Sequence, residues 1–471
     1  MFKHWFIAFK QKIIARLNAI NNDAVRRNIL QTLPFWVASA LTGLVAVLYS
    51  RLFDWAEHIV LWLAGMQWWI LFITCPLFFW LSWWVVNKFS PGARGSGIPQ
   101  VMAAVELSNP RDIEKVGYLL GLRIMLVKIG SSILMVLGGG AIGREGPTIQ
   151  IAGSIFKFIN DITPDSWPKV PPKNMVITGA AAGLAAAFNT PLGGIVFAVE
   201  ELAKNHFKFF RTPLFAAVII SGLAAQGLLG PYLYLGYPTV TGSSWYIFFP
   251  IILSAALAGM AGAGLGTSIL KIVAWKKKLN KRQKLFFLLG VAFFMATMGA
   301  FVSVSALGPG KEIMNDLLFT HKKSTEWYLP IVRFLGPLLS FTAGGAGGIF
   351  APSLAAGATI GGALSFWMGF VDANANLMIL TGMVGFLTGI TRSPFTSAIL
   401  VLEMTDRHSV IFHLMLAAMV SNLTSMVVDR KSLYEQLKDE YMEEAKDYIV
   451  PEKNSFKNSW KKLKEKLTSK N

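Results

Sequence analysis

At 471 residues, the chain is 54% hydrophobic and only 15% charged. An average soluble domain carries about 25% charged residues. This composition therefore excludes a soluble domain and indicates an integral membrane protein. The net charge of +18 would suit a nucleic-acid-binding protein, but the excess lies in the two terminal segments. We therefore expect a lipid bilayer as partner, and no nucleic acid.

The terminal segments predict the orientation of the chain. Residues 1–32 are predicted to form an amphipathic helix on the cytoplasmic membrane surface, because Lys10, Lys12 and Arg16 interrupt its apolar residues and exclude a cleaved signal peptide. Residues 441–471 are predicted to be a basic cytoplasmic tail. Since positive flanks usually remain in the cytoplasm, both termini are expected there, with an even number of crossings between them.

Between the termini, apolar runs such as "LPFWVASALTGLVAVLYS" approach or exceed the roughly 20 residues that cross a bilayer. The chain also repeats internally, with a first half predicted over residues 33–237 and a second over 238–440. The coinciding positions are Gly179 with Gly382, Pro191 with Pro394, Glu200 with Glu403, Gly143 with Gly348, and Pro147 with Pro352. Such halves often insert with opposite orientation and form a substrate site at their interface.

Three glycine-rich segments lie where a loop would turn into a helix: the serine motif "GSGIP" (residues 95–99), the glutamate motif "GREGP" (143–147) and the phenylalanine motif "GGIFAP" (347–352). Each would expose free backbone N–H groups at a helix N-terminus, which attracts anions without a fixed cation. Such a site binds weakly enough for transport. The alternative is that the motifs are only packing turns, and three motifs in one chain weaken that alternative.

Glu145 is a carboxylate in a strongly apolar region. A charge there costs about 2.5–3.5 kcal/mol on insertion scales, which marks the residue as functional. When ionised, Glu145 would compete with an anion for the same N–H groups, and when protonated it would swing away. It would then act as both gate and proton carrier. The alternative is an ion pair with Arg144, although adjacent residues of a helix face different directions.

The three motifs, in this order, resemble the signature motifs of the CLC family of chloride channels and proton/chloride antiporters. Further segments carry the same resemblance, namely "NTPLGGIVFAVEEL", "LVLEMTD" and the tyrosine of "KSLYEQL". The resemblance implies an all-α polytopic membrane protein with about 18 tilted and re-entrant helices in two inverted-topology halves. It also implies a homodimer with one pathway per subunit.

The resemblance also assigns individual roles. It implies that Ser96 and Tyr434 donate hydroxyl hydrogen bonds to the central anion and that the amides of Ile349 and Phe350 point to the same ion. Glu201 corresponds to the inner proton site of the family's antiporters. A serine between the two glycines of the serine motif argues for chloride as the anion.

Four other residues are interpreted with less specific roles. Glu200 is interpreted as a structural residue that caps a helix or forms an ion pair near a helix end. Lys128 matches a family lysine near the pathway, and it either balances buried charge or snorkels to the membrane surface. Gln100 and Met102 follow the serine motif where family antiporters often carry acids, which puts in doubt the water route that feeds Glu201.

The predicted function is therefore coupled antiport of chloride and protons, with a passive chloride channel, or exchange of nitrate or fluoride, as alternatives. A membrane-embedded enzyme would need a nucleophile with a base or a metal cluster, and the six histidines show no metal-like pairing. We expect no enzymatic activity, no metal site and no cofactor. The segment after Tyr434 is too short for the nucleotide-sensing domains that many relatives append, which favours a prokaryotic inner membrane.

Overall fold

The computed structural model describes residues 23–164, 166–203, 211–230, 233–240, 245–320, 323 and 325–448. These residues form seventeen α-helices joined by short loops and single helical turns. Most of the predicted N-terminal amphipathic helix and of the predicted basic tail lies outside the described residues.

The helices fall into two sets along the chain. The first-half helices are α1 (Asp23–Met66), α2 (Leu71–Phe89), α3 (Ile98–Leu107), α4 (Leu122–Leu137), α5 (Glu145–Ile162), α6 (Pro172–Phe188), α7 (Pro191–Phe197) and α8 (Arg211–Leu229). The second-half helices are α9 (Phe248–Lys277), α10 (Lys281–Thr297), α11 (Lys311–Phe319), α12 (Leu329–Ala343), α13 (Phe350–Trp367), α14 (Asp372–Thr391), α15 (Pro394–Thr405), α16 (Ile411–Val428) and α17 (Leu433–Lys446). A π-helical turn, Ala198–Ala203, continues α7.

Eight segments within the described residues are long and apolar enough to cross a membrane. This finding confirms an integral multi-pass membrane protein. The boundary predicted after residue 32 falls inside α1, which continues through Pro34 without a break. Likewise, α17 extends to Lys446, so it includes the first residues of the predicted tail.

The helix starts repeat between the halves. Helices α5 and α13 each contain 18 residues and begin at positions that coincide in the repeat, and α7 and α15 both begin at a proline. Proline suits the first helical position because its missing N–H would have no intrahelical partner there. The residues that end α6 and α14, Asn189 and Arg392, both adopt the left-handed conformation, with φ of 57° and 61°. The predicted internal repeat is therefore present in the fold.

Backbone hydrogen bonds join the glycine-rich loops of the two halves. Gly143 and Gly348, which coincide in the repeat, exchange backbone hydrogen bonds of 2.7 and 2.8 Å as an antiparallel pair. Within the second half, glycine also permits close helix contact: a Cβ atom on Gly357 of α13 would collide with the carbonyl oxygen of Gly382 of α14, and the reverse also holds. Small residues allow this backbone approach in membrane proteins, where van der Waals packing drives helix association.

Candidate functional site

The three glycine-rich motifs are joined by backbone hydrogen bonds. The Gly95 N–H donates to the Gly345 carbonyl oxygen at 2.8 Å, and the Gly347 N–H donates to the Gly95 carbonyl oxygen at 3.0 Å. The Gly143–Gly348 pair connects the glutamate motif to the phenylalanine motif in the same way. The phenylalanine motif and the glycines just before it therefore bridge the other two motifs.

Each motif leads directly into a helix. Helix α3 begins at Ile98, α5 at Glu145 and α13 at Phe350, with Ile349 as the N-cap residue of α13. The first N–H groups of a helix have no intrahelical partner, and the helix dipole adds partial positive charge there. Ile349 and Phe350 are both fully enclosed by protein, so their amides can act only within this buried region. The three motifs thus bring the starts of three helices together in one buried region.

The two predicted hydroxyl ligands lie together. Ser96 and Tyr434 are each 1% exposed, and the Tyr434 hydroxyl faces the Ser96 hydroxyl. Neither oxygen completes a hydrogen bond with the described part of the chain. The Tyr434 ring also packs against the Phe350 ring, with centroids 6.0 Å apart. A buried hydroxyl left without a partner costs about 1–3 kcal/mol, so these two donors are suited to a ligand that accepts hydrogen bonds.

Glycine is required beside Ser96. A Cβ atom at Gly146, in the glutamate motif, would collide with the Ser96 side chain, and one at Gly97 would collide with the Gly146 carbonyl oxygen. Gly97 also has φ of 112°, a conformation that other residues rarely adopt. The serine and glutamate motifs are thus in direct backbone contact, which brings Ser96 next to the start of α5.

Glu145 is the first residue of α5 and is 1% exposed. Its carboxylate lies against the Cα atom of Gly143 and faces the backbone N–H of Ala351 in α13. The Oε2 atom has no hydrogen-bond partner in the described residues. This carboxylate therefore contacts both halves of the molecule at the start of two helices, as an anion would.

Arg144 turns toward a different element. Its guanidinium donates to the Asp54 carboxylate and, at 3.2 Å, to the Ser50 carbonyl oxygen, both in α1. Asp54 is 90 positions away along the chain. The neighbouring arginine and glutamate thus serve different partners, which agrees with the different directions of adjacent helix residues.

Glu200 and Glu403 cap helices in opposite halves. The Glu200 carboxylate accepts hydrogen bonds from the N–H groups of Phe395 and Thr396, at 3.2 and 2.7 Å, at the start of α15. The Glu403 carboxylate, at the repeat-related position, accepts from the N–H groups of Leu192 and Gly193, at 3.1 and 2.6 Å, at the start of α7. A carboxylate at a helix N-terminus is stabilised by free N–H groups and by the dipole. The structural interpretation of Glu200 is therefore confirmed.

Glu201 has a different environment from its neighbour. It is 8% exposed and accepts a hydrogen bond of 2.6 Å from the Ser393 hydroxyl. It also lines a small pocket that Tyr434 and Phe350 share. The other polar side chains of this pocket are hydroxyls, from Thr391, Ser393, Thr396 and Ser397. Glu201 is thus connected to the Ser96–Tyr434 region through a pocket lined in part by hydroxyl groups.

Lys128 and Gln100 both support the loop that carries Ser96. The Lys128 ammonium is buried and donates to the carbonyl oxygens of Ala93 and Gly95, each at 2.8 Å, so this lysine does not snorkel. The Gln100 side chain accepts from the Gly97 N–H at 3.0 Å and donates to the Arg94 carbonyl oxygen. Gln100 therefore holds the serine motif in place. This role was not predicted from the sequence, where the only observation was that family antiporters often carry an acid after the serine motif.

Sequence reasoning also missed an ion-pair cluster beside the serine motif. The Arg94 guanidinium lies 2.8 Å from the Glu440 carboxylate and 2.6 Å from that of Glu444, both in α17. Tyr441 donates to the Arg94 carbonyl oxygen at 3.1 Å, and burial raises the pKa of its hydroxyl, so it remains a donor. This cluster, here called the Arg94 clamp, joins the Ser96 loop to the helix that carries Tyr434. The spacing of the two glutamates, one helical turn apart, was the signal in the sequence.

Residues 78–426 match the family model described as voltage gated chloride channel. The chain belongs to this family. Among curated proteins, this member of the voltage-gated chloride channel family is similar to two bacterial proteins named H(+)/Cl(-) exchange transporter ClcA, from Salmonella arizonae and Salmonella typhi. Each is 27% identical over 424 residues, which cover 84% of this chain and 86% of the relative.

Solved structures show the same fold. A slow cyanobacterial Cl-/H+ antiporter aligns with a TM-score of 0.75 at 22% identity, covering 88% of this chain and 98% of that one. A CLC-type fluoride/proton antiporter gives a TM-score of 0.72 at 18% identity with the same coverage. A eukaryotic CLC transporter gives 0.70 at 21% identity, covering 88% of this chain and 75% of that one. The predicted CLC-type fold in two inverted halves is thereby confirmed.

Proposed function

We propose that the chain is a proton/chloride antiporter in which Glu145 is both the gate and the outer proton site. The position of the Glu145 carboxylate is the main support for this proposal. The carboxylate lies beside the Ala351 N–H at the junction of the halves, and one of its oxygens has no hydrogen-bond partner in the described residues. The names of the bacterial relatives support exchange over a passive channel.

Chloride would bind between Ser96 and Tyr434, with the amides of Ile349 and Phe350 directed at the same ion. The unpartnered hydroxyls support this proposal, since each donates a hydrogen bond without adding charge. Lys128, the buried cation near this loop, is already bound to backbone carbonyl oxygens. The ion would then be held by dipoles alone, weakly enough to leave on either side.

Glu145 would compete with chloride for the start of α5 and α13. When ionised, its carboxylate occupies the place of an anion at these helix N-termini and blocks the outer path. When protonated, it loses most of this attraction and leaves the path to chloride. Chloride movement and proton movement would then depend on the same side chain, which is the requirement for coupling.

Protons would reach Glu145 from the inner side through Glu201. The pocket shared by Glu201, Phe350 and Tyr434 supports this route, and the Ser393 hydroxyl holds the Glu201 carboxylate at 2.6 Å. Hydroxyl groups can donate and accept hydrogen bonds, so a wall of them suits the passage of a proton. Direct metal or cofactor chemistry is not required at any step of this scheme.

The experiment records chloride efflux and external pH together, with the purified protein in chloride-loaded liposomes. We expect chloride efflux to drive protons inward for the wild type, and Glu145→Gln to pass chloride without protons. Chloride efflux without proton movement in the wild type would instead identify a passive channel. Repeating the assay with nitrate and fluoride tests the anion, and chloride is expected to couple best because of Ser96.

We also propose that the protein is a homodimer in a bacterial inner membrane with both termini in the cytoplasm. The bacterial relatives support the membrane, and the basic residues of the two terminal segments support the orientation. Cysteine labelling of residues added at each terminus, in inside-out and right-side-out vesicles, tests the orientation. A mass measurement of the protein in detergent tests the dimer.

A further inference from the structure

A cavity of about 400 Å³ opens beside the Arg94 clamp, away from the pocket of Glu201 and Tyr434. Its walls come from α2, α9, α10, α12 and α17. Three of these helices end or begin beside the cavity, since Asn87 near the end of α2, Lys277 at the end of α9 and Lys284 in the first turn of α10 all line it. Because α2, α9 and α10 are all long enough to cross a membrane, the cavity lies where their apolar spans meet the aqueous phase.

The cavity wall is strongly basic. Its charged residues are the cations Arg94, Lys276, Lys277 and Lys284 and the carboxylates Glu440 and Glu444. This set leaves a formal excess of two positive charges on the wall. The end of α9 and the start of α10 add more basic side chains, among them Lys278 and Arg282. The excess charge favours an anionic ligand.

The partners of the four cations show which of them is available to bind a ligand. Arg94 is bound to both carboxylates, and Lys277 lies 3.1 Å from Glu440. The Lys276 ammonium donates to carbonyl oxygens at the end of α12. Lys284 makes no ion pair within the described residues, although it lines the cavity. Its ammonium is therefore the first candidate to bind a ligand, with Lys277 beside it.

Aromatic residues at the same level indicate a membrane interface. Trp83 lines the cavity itself, and the Lys88 ammonium lies 4.5 Å from the Trp84 ring centre. On the protein surface, outside the cavity, Trp275 is 49% exposed and Phe286 is 72% exposed. Tryptophan and lysine concentrate at the headgroup level of membranes. Phosphate groups of lipids lie at this same level, within reach of a basic pocket between helices.

We propose that this cavity binds the phosphate group of a phosphate-bearing anion, with Lys284 and Lys277 as its ligands. A phosphate carries several acceptor oxygens, so it can bind two ammonium groups at once, which a cavity of this size accommodates. The phosphate group comes from an anionic phospholipid or from a free phosphate in solution. The site is separate from the proposed chloride and proton sites, and it does not depend on them.

The position of the cavity also connects it to transport. Gly95, Leu437 and Tyr441 line it, so a bound phosphate would touch both the loop that precedes Ser96 and the helix that carries Tyr434. It would also share Arg94 with Glu440 and Glu444. Occupancy of this site would therefore act on the two elements that hold the proposed chloride ligands.

The test measures the thermal unfolding midpoint of the full chain in detergent, with and without each probe. The probes are phosphatidylglycerol, phosphatidylcholine as the zwitterionic reference, and inorganic phosphate. The variants are Lys284→Gln, which alters the cavity, and Lys278→Gln, which removes the same charge from the residue after α9, outside the cavity wall. Each probe-induced shift is compared with the same variant without probe, so a change in basal stability does not affect the result.

We expect phosphatidylglycerol to raise the wild-type midpoint by several degrees more than phosphatidylcholine, because a ligand that binds only the folded state stabilises it. Lys284→Gln should lose at least half of this shift, and Lys278→Gln should keep it. A shift with phosphatidylglycerol alone assigns the lipid as the source, and a matching shift with inorganic phosphate assigns free phosphate. The proposal is overturned if neither probe stabilises the wild type, or if the two variants lose the shift equally.

Discussion

Two adjacent glutamates have separate tasks in this protein. Glu200 accepts hydrogen bonds from the first N–H groups of α15, whereas Glu201 faces a pocket that it shares with Tyr434. Both are in one π-helical turn, so the sequence alone gives them nearly the same surroundings. The pair offers two identical chemical changes at neighbouring positions, with different expected results.

We expect Glu201→Gln to abolish proton movement while chloride flux survives. Glutamine has nearly the same shape and can still accept the hydrogen bond from Ser393, but it cannot carry a proton at this position. Simultaneous recording of chloride and pH in liposomes measures the effect. The matched variant Glu200→Gln should retain coupling and lower the unfolding midpoint, because a charged N-cap interaction contributes about 0.5–2 kcal/mol. Normal proton movement in Glu201→Gln would place the inner proton site elsewhere.

Ser96 permits a second comparison at the residue scale. Ser96→Ala removes a hydroxyl that has no partner within the described chain, whereas Ser353→Ala removes one that bonds the Ile349 carbonyl oxygen in its own helix. We expect Ser96→Ala to weaken chloride binding about 10- to 150-fold, which corresponds to the roughly 1.5–3 kcal/mol of a hydrogen bond to an ion. Preference should shift toward nitrate, whose charge is more dispersed. Isothermal titration with each anion checks this, and equal effects of the two variants would exclude Ser96 as a ligand.

The residue scale also shows where sequence reasoning ended. The short motifs of glycine, proline and serine predicted helix starts that the structure contains, and their resemblance to the CLC family implied the proposed chloride ligands. The partner of Arg144 was not predictable, since Asp54 lies 90 positions away in a different helix. Lys128 was equally ambiguous, because only the fold decides whether a long side chain reaches carbonyl oxygens or the membrane surface.

At the scale of elements, the Arg94 clamp links two segments that are more than 340 positions apart in sequence. It connects the loop before Ser96 to α17, whose first turn contains Tyr434. A change in the clamp would therefore alter the relative position of the two proposed hydroxyl ligands without removing either. Arg94 is a positioning residue in this interpretation.

We expect Arg94→Gln to raise the chloride KM of transport about threefold or more with a smaller change in the maximal rate. The reason is that α17 loses its ion pairs to the Ser96 loop, so the hydroxyls align less often. The matched variant Lys157→Gln breaks the 2.6 Å ion pair with Asp161, which lies within a single helix and joins no second element. It should leave the KM unchanged, because an ion pair near the surface contributes about 0–1 kcal/mol. Partial recovery in Arg94→Lys would assign the effect to the positive charge.

Helix boundaries were predicted less well than the motifs at their starts. Proline is the first residue of α7 and of α15, a position that suits it because its missing N–H would have no intrahelical partner there. The boundary predicted after residue 32 does not coincide with a helix end, since α1 continues through Pro34. Composition changes gradually there, and neighbouring helices of a membrane protein can accommodate an internal proline.

At the scale of the molecule, the repeat decides the architecture. Equivalent residues of the two halves bind each other, as Gly143 binds Gly348, or bind reciprocal partners, as Glu200 and Glu403 do. Alignment of the two repeats could identify these positions as equivalent, but it could not predict that they would be in contact. Contact follows from the opposite orientation of the halves, which places equivalent loops opposite each other at one junction.

This junction can be tested by adding a single methyl group. Gly348→Ala would place a Cβ atom 3.0 Å from the Gly146 nitrogen and 3.2 Å from the Gly143 carbonyl oxygen, so the backbone of the glutamate motif would have to shift away from α13 by a few tenths of an ångström. We expect chloride efflux from liposomes to fall at least tenfold, because Glu145 and the amides of α13 depend on the same contact. The unfolding midpoint should fall as well.

Gly264→Ala is the matched control, since a Cβ atom there would meet nothing within 4 Å. Gly264 lies within α9, where alanine stabilises a helix by up to about 1 kcal/mol relative to glycine. Its midpoint should rise slightly and its efflux should be unchanged. If both variants transport at the wild-type rate, the contact between the halves tolerates the added methyl group, and the anion site does not depend on close contact between Gly348 and the glutamate motif.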